Sequence, residues 1–164
     1  MRKLVMAALL LGCAGCSQDA APPAAPEAPK TLPAGQYDII SEVTRLVSSD
    51  HSVPATKLKL GDKATIRACV AADGTPDPAM FVEAGDTCTV DSSFGRSGRV
   101  SVQYSCQRSG KGPLYVNADG NYKADSFEIL VTSASKFSGS GDYDLTRHLA
   151  AKRIGACPPS AAKG

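Results

Sequence analysis

The sequence has no tryptophan, and phenylalanine and tyrosine make up only 5% of it. That scarcity argues against a platform for stacking bases and against an aromatic carbohydrate cleft. Charge of one sign is also missing. Arg2 and Lys3 are expected to leave with an N-terminal leader, so 18 basic residues less 2, set against 16 acidic ones, would leave a neutral mature chain. No clustered basic face is left for nucleic acid, which is excluded as a partner. No apolar run reaches the roughly 20 residues needed to cross a bilayer as a helix. Only two histidines are present, His51 and His148. No Cys-x-x-Cys stands in the region after residue 34, so a zinc site lacks its usual ligands. No glycine loop suits a phosphate. No metal or cofactor is expected.

What the chain does carry begins at its start. Met1-Arg2-Lys3 precedes an apolar run from Leu4 to Leu11, and Gly12-Cys13-Ala14-Gly15-Cys16 follows. The run has signal-peptide length. A small residue directly before a cysteine, behind leucines, resembles the lipobox of bacterial lipoproteins. The resemblance implies a lipid on the cysteine and cleavage before it. Cys13 has the apolar residue three places back. Cys16 has the better Ala-Gly pair and leaves no odd thiol. Either is a candidate for lipidation. The residue that follows, Ala14 or Ser17, is not aspartate, which implies the periplasmic side of the outer membrane. Several acyl chains at about 0.8 kcal/mol per buried methylene would make release negligible. The expectation is a membrane partner engaged through the N-terminal lipid.

The chain divides into a signal and lipobox (1–16), an Ala/Pro-rich tether (17–34), a β domain (35–157) and a disordered tail (158–164). Runs such as Ala21-Pro22-Pro23-Ala24-Ala25-Pro26 favour extended polyproline II and read as a semi-rigid spacer. Past Gly35 the hydropathy alternates. Tyr37, Ile39 and Val43 share one face of a strand. Leu58, Leu60, Ala64, Ile66, Ala68 and Val70 occupy even positions and basic residues odd ones, with Gly61-Asp62 read as a bulge. Residues 73–86 read as an irregular loop with one helical turn, its aspartates serving turn chemistry rather than calcium. Gly95-Arg96-Ser97-Gly98 suits a three-residue hairpin loop. That loop sets Phe94 opposite Val100, Val90 opposite Tyr104 and Cys88 opposite Cys106. Asp119-Gly120 reads as a second hairpin turn between Leu114–Val116 and Tyr122–Val131. In segment 142–155, Leu145, Leu149 and Ala150, between Asp144 and Gly155, suit a capped helix, which is the local reading, while Tyr143, Leu145 and Leu149 also fit a strand.

Leu32-Pro33-Ala34-Gly35-Gln36-Tyr37, the cysteines at 69, 88 and 106, and Lys152-Arg153-Ile154-Gly155-Ala156-Cys157 together resemble the domain-of-unknown-function family 3617 of proteobacterial envelope proteins. The likeness spans roughly 35–158 and implies a final strand running into Gly155-Ala156-Cys157, which overrides the local helix reading. The chain departs from the family in lacking Met/Thr-rich late strands. The resemblance implies no activity and transfers no catalytic residue.

Four cysteines in an exported domain, Cys69, Cys88, Cys106 and Cys157, imply two disulfides. The pairing adopted is Cys69–Cys88 and Cys106–Cys157, in which the first bond closes the irregular loop and the second pins the C-terminus. The hairpin register instead favours Cys88–Cys106. His51, His148, the Ser133-x-x-Lys136 motif and the Asp142/Asp144 pair lack the companions a nucleophilic site needs, and no active site is expected. The fold expected is all-β, an antiparallel meander of about seven strands, curved or barrel-like, with one short helical turn. Its expected function is a non-catalytic binding or interaction module of the cell envelope. The alternative is a carrier of a small apolar ligand in a barrel mouth lined by Phe94, Val100, Val102, Tyr104 and Phe127.

Overall fold

A computed structural model describes residues 29–159. The lipobox cysteines Cys13 and Cys16, residues 17–28 of the tether and residues 160–164 of the tail lie outside the described residues. Seven antiparallel strands form one sheet: β1 (Gly35–Ser48), β2 (Lys63–Val70), β3 (Asp86–Arg96), β4 (Arg99–Arg108), β5 (Gly112–Tyr122), β6 (Ser126–Ser135) and β7 (Tyr143–Gly155). Their spatial order is β2-β1-β7-β6-β5-β4-β3, so β2 and β3 are the two free edges of an open half-barrel. The all-β class expected from the alternating pattern holds.

The inner face follows the period of two directly. Tyr37, Ile39, Ser41 and Val43 point inward from β1, Val100, Val102, Tyr104 and Cys106 from β4, and Phe127, Ile129 and Val131 from β6. On β7 the inward set is Tyr143, Leu145, Arg147, Leu149 and Ala151, so segment 142–155 is a strand from Tyr143 on. Paired on both sides, β7 gains a ladder on each edge that an isolated helix there would forgo.

An open half-barrel leaves its inner face uncovered unless something fills it. The loop after β2 does so: Asp77 caps the short 3-10 turn Pro78–Met80, accepting from the Ala79 N–H at 2.9 Å. Met80 and Phe81 then enter the core with no exposure, and Phe81 lies 6.1 Å from the Tyr104 ring. Leu32, placed by sequence near the end of the tether, is buried in the same cluster.

Three local expectations are corrected. The β3–β4 turn has two central residues, Ser97 (φ 51°) and Gly98 (φ 81°), both left-handed as in a type I′ turn. Arg96 therefore pairs with Arg99, and Phe94 faces Ser101 instead of Val100. A bulge between Val90 and Ser92 restores the expected register at Val90–Tyr104 and Cys88–Cys106. Asp119-Gly120 is not a turn, since β5 runs unbroken to Tyr122 and the chain reverses at 123–125. Gly120 serves close approach: a Cβ there would overlap the Glu128 carbonyl and the Ile129 Cα on β6. Finally, β2 begins only at Lys63, and Leu60 is exposed, because the Gly61 N–H donates to the Val43 carbonyl and the Asp62 carbonyl accepts from the Val43 N–H in a turn.

The disulfide pairing is also corrected. The bonds are Cys69–Cys157 and Cys88–Cys106. Gln36 pairs with Cys69 on one side and Gly155 on the other, so the chain end has only to step past the start of β1 to reach β2. Cys88 and Cys106 are directly opposed on neighbouring strands, as the hairpin register indicated.

Asp50 ties the long β1–β2 loop to the β6–β7 loop. One carboxylate oxygen accepts from the Ser52 hydroxyl (2.6 Å) and N–H (3.0 Å), the other from the Gly141 (2.8 Å) and Asp142 (3.2 Å) N–H groups. These donors, Ser52 first, hold its carboxyl far below the usual aspartate range. A depressed native pKa gives stability that is complete above the unfolded value of about 3.9 and lost as the pH falls toward the native one. Asp50→Asn is therefore expected to be less stable than the parent at pH 7, with the gap narrowing below about pH 4. Urea unfolding at pH 7 and pH 3 checks this. A gap of equal size at both would show that the carboxylate charge is not its source.

Candidate functional site

The residues proposed from sequence to line a barrel mouth do not meet in one cavity. Val100, Val102, Tyr104 and Phe127 are core residues, each at most 5% exposed. Tyr104 packs against Phe81, and Phe127 lies 5.1 Å from the Tyr37 ring. Phe94 stands apart on the β3 edge, 53% exposed. With Arg96, Arg99, Val100 and Asp119 it borders an open hollow of about 520 Å³. The half-barrel is filled at Val100, Val102, Tyr104 and Phe127. Burial also pushes the Tyr104 phenol up to about 12.

The larger concavity lies elsewhere, where β1 and β2 meet the loops at 55–58 and 79–84. It is a cleft of about 640 Å³. Val43, Leu58, Ala64, Ile66 and Val82 supply apolar wall, with Ser41 and Arg147 also lining it and Lys57 and Lys63 among its basic residues. Arg147 is the unusual member. It is 5% exposed, at an inward position of β7 flanked by Val43 on β1 and Val131 on β6. One of its terminal N–H groups donates to the Phe81 carbonyl, while its Nε–H has no partner. Desolvation pulls its pKa below the ordinary arginine value, the Glu83 carboxylate pulling the other way.

The second arginine of the cleft is fully engaged. Arg108 holds Asp86 through two parallel bonds (2.7 and 2.8 Å), donates to the Ala55 carbonyl (2.5 Å) and contacts Glu83 at 3.1 Å. Glu83 accepts in addition from the Tyr143 and Thr56 hydroxyls, both at 2.5 Å. The Arg108 guanidinium also lies over the Phe137 and Tyr143 rings at 5.5 and 5.8 Å. Asp86, an aspartate of the irregular loop, is thus an ion-pair partner. Asp73 accepts from the Thr75 N–H, which lowers its pKa.

Of the other chemistry-bearing residues, His51 and His148 are both exposed and on different elements. Ser133 is buried on β6, and Lys136 is exposed just beyond its end. Asp142 accepts from the Ser135 hydroxyl and the Phe137 N–H, and Asp144 from the Ser49 hydroxyl. Among the described residues no group of three or more His, Cys, Asp or Glu is placed to hold a metal. Sequence reasoning missed Arg147, although once segment 142–155 is a strand, the inward series 143, 145, 147, 149, 151 puts an arginine on the apolar face.

A disulfide-stapled open half-barrel, plugged by its own loop and keeping one lateral cleft, is the class of protein that these features define. The family model described as "Protein of unknown function (DUF3617)" matches residues 29–157, and the chain belongs to that family. No curated protein and no solved structure matches.

Proposed function

We propose that the protein is a non-catalytic binding module of the cell envelope, lipid-anchored at Cys13 or Cys16 on the periplasmic side of the outer membrane, with the lateral cleft as its ligand seat. The observation that carries this reading is the cleft itself. At about 640 Å³ it falls within the roughly 300–1,000 Å³ of small-molecule sites, and apolar side chains make up half of its lining residues, the other half being polar or charged. The ligand site thus moves from the barrel mouth at Phe94, Val100, Val102, Tyr104 and Phe127 to the β1–β2 side. The two disulfides favour an oxidising compartment.

The uncharged environment-sensitive dye N-phenyl-1-naphthylamine tests the seat. Saturable fluorescence enhancement by the wild type, abolished in Ala64→Trp, is the expected result. Enhancement that never saturates, or that survives the tryptophan, overturns it. Metabolic labelling with a palmitate analogue tests the anchor. Label is expected on the wild type and absent from the Cys13→Ser, Cys16→Ser double variant, and label retained there removes the anchor.

A second reading rests on the β3 edge. It is an outermost strand whose Val90 and Phe94 are 51% and 53% exposed. A partner envelope protein adding a strand there would use the unpaired ladder.

A further inference from the structure

A guanidinium removed from water is costly unless an anion or a full set of hydrogen bonds replaces its hydration. Arg147 has one backbone acceptor, an unpartnered Nε–H, and no carboxylate within salt-bridge range among the described residues. Two carboxylates, Asp62 and Glu83, also line the cleft, and these and the nearby Glu42 are engaged by other partners. Glu83 is held by Arg108, Tyr143 and Thr56. Asp62 accepts from the Lys59 N–H, and Glu42 pairs with Lys63. The cleft that Arg147 lines has an apolar wall, at Val43, Ala64, Ile66 and Val82.

We infer that the cleft takes a single-chain amphiphile with a small anionic head, the head meeting Arg147 and the chain lying along the apolar wall beside Ile66. This rests on the cleft being the ligand seat and adds the class of ligand. A buried arginine in the cleft suits a carboxylate or phosphate oxygen, since the planar guanidinium directs its donors in fixed geometry. Hydrogen bonds to charged groups are stronger than neutral ones, so an alcohol head gains less there. The Ser41 hydroxyl, which lines the same cleft, is an additional donor.

The test is isothermal titration of the purified protein with laurate and lauryl phosphate below their micelle concentrations, 1-dodecanol below its solubility limit, and acetate. The wild type is expected to bind laurate or lauryl phosphate roughly 10- to 100-fold more tightly than 1-dodecanol. Whichever of the two binds more tightly identifies the head, and acetate is expected to bind far more weakly than either. Arg147→Met is expected to bring the anionic ligand to within about 3-fold of 1-dodecanol. Equal affinity for laurate, lauryl phosphate and 1-dodecanol in the wild type overturns the inference, even if Arg147→Met fails to fold. So does acetate binding as tightly as laurate, or a folded Arg147→Met that keeps the preference. Failure of all four ligands together with the neutral dye would instead remove the ligand seat. Dye binding with no head preference would remove only the anionic class.

Discussion

Replacing Cys69 and Cys157 together by serine is expected to cost about 4.6 kcal/mol of unfolding free energy, and Cys88 with Cys106 about 3.2 kcal/mol. The difference comes from loop length. The first bond spans 88 residues and the second 18, and in the chain-entropy account the restriction of the unfolded ensemble grows with the logarithm of the loop. The first also ties the C-terminal segment to an edge strand, since Cys69 lies near the end of β2 and Cys157 follows β7, with β1 between them. Without it the β1–β7 pair keeps its ladder but loses the covalent tie to the edge strand. At roughly 4 °C per kcal/mol for a domain of this size, the melting temperature should fall by about 18 °C for the long bond and about 13 °C for the short one. Thermal unfolding of both double variants, prepared from an oxidising compartment, reads this out. Equal losses would mean that native contacts rather than loop closure set the contribution. The pairing Cys69–Cys88 with Cys106–Cys157 predicts something different. Either double variant would then leave two unmatched thiols, and thiol counting on the folded proteins distinguishes the cases directly.

That pairing shows where the sequence is legible and where it is not. Alternation is a local property, so the strands around Tyr37, Val102 and Ile129 can be read from the chain, and with them most of the inner face, whereas the strand around Leu149 is implied only by the family resemblance. The hairpin register at Cys88 and Cys106 is legible for the same reason. It is right at the cysteines although the turn is one residue shorter, because the bulge after Val90 absorbs the difference. Relations between distant elements are not local. Nothing near Cys69 indicates that Cys157 arrives past the start of β1. Gly120 is a second case: Asp-Gly carries a turn signal, yet the glycine is there because β6 comes too close for a Cβ. Met80 and Phe81 form a third. Their loop looks irregular in sequence because its order comes from the half-barrel that it plugs. The cleft was invisible because it lies between β1, β2 and two loops that no pattern joins, and the one clue, Arg147, needs the strand assignment first.

The two arginines of the cleft make opposite predictions, and Arg108 gives the larger effect on stability. Arg108→Ala is expected to cost about 3–5 kcal/mol, roughly 12–20 °C in melting temperature. The truncation leaves Asp86, whose side chain is 1% exposed, and Glu83, at 13%, without the cation they share. It also frees the Ala55 carbonyl and uncovers the Phe137 and Tyr143 rings. Most of that cost is the penalty of stranding two buried carboxylates, not the net worth of the pairs. Neutralising the whole cluster in Arg108→Met, Glu83→Gln, Asp86→Asn should therefore be less damaging than the single alanine, although it changes three residues instead of one. The amide introduced at position 83 can accept from one of the Tyr143 and Thr56 hydroxyls through its oxygen and donate to the other through its NH2, since the two hydroxyls bond different oxygens of the parent carboxylate, each at 2.5 Å. A triple variant no more stable than Arg108→Ala would mean that the ion pairs themselves hold the 79–86 loop in place. Arg147 has no such partners to strand. Its replacement by methionine costs the Phe81 carbonyl one donor and relieves a buried charge, so its stability change should be much the smaller of the two. The charge at 108 is neutralised within the fold, whereas the charge at 147 is left for something outside it.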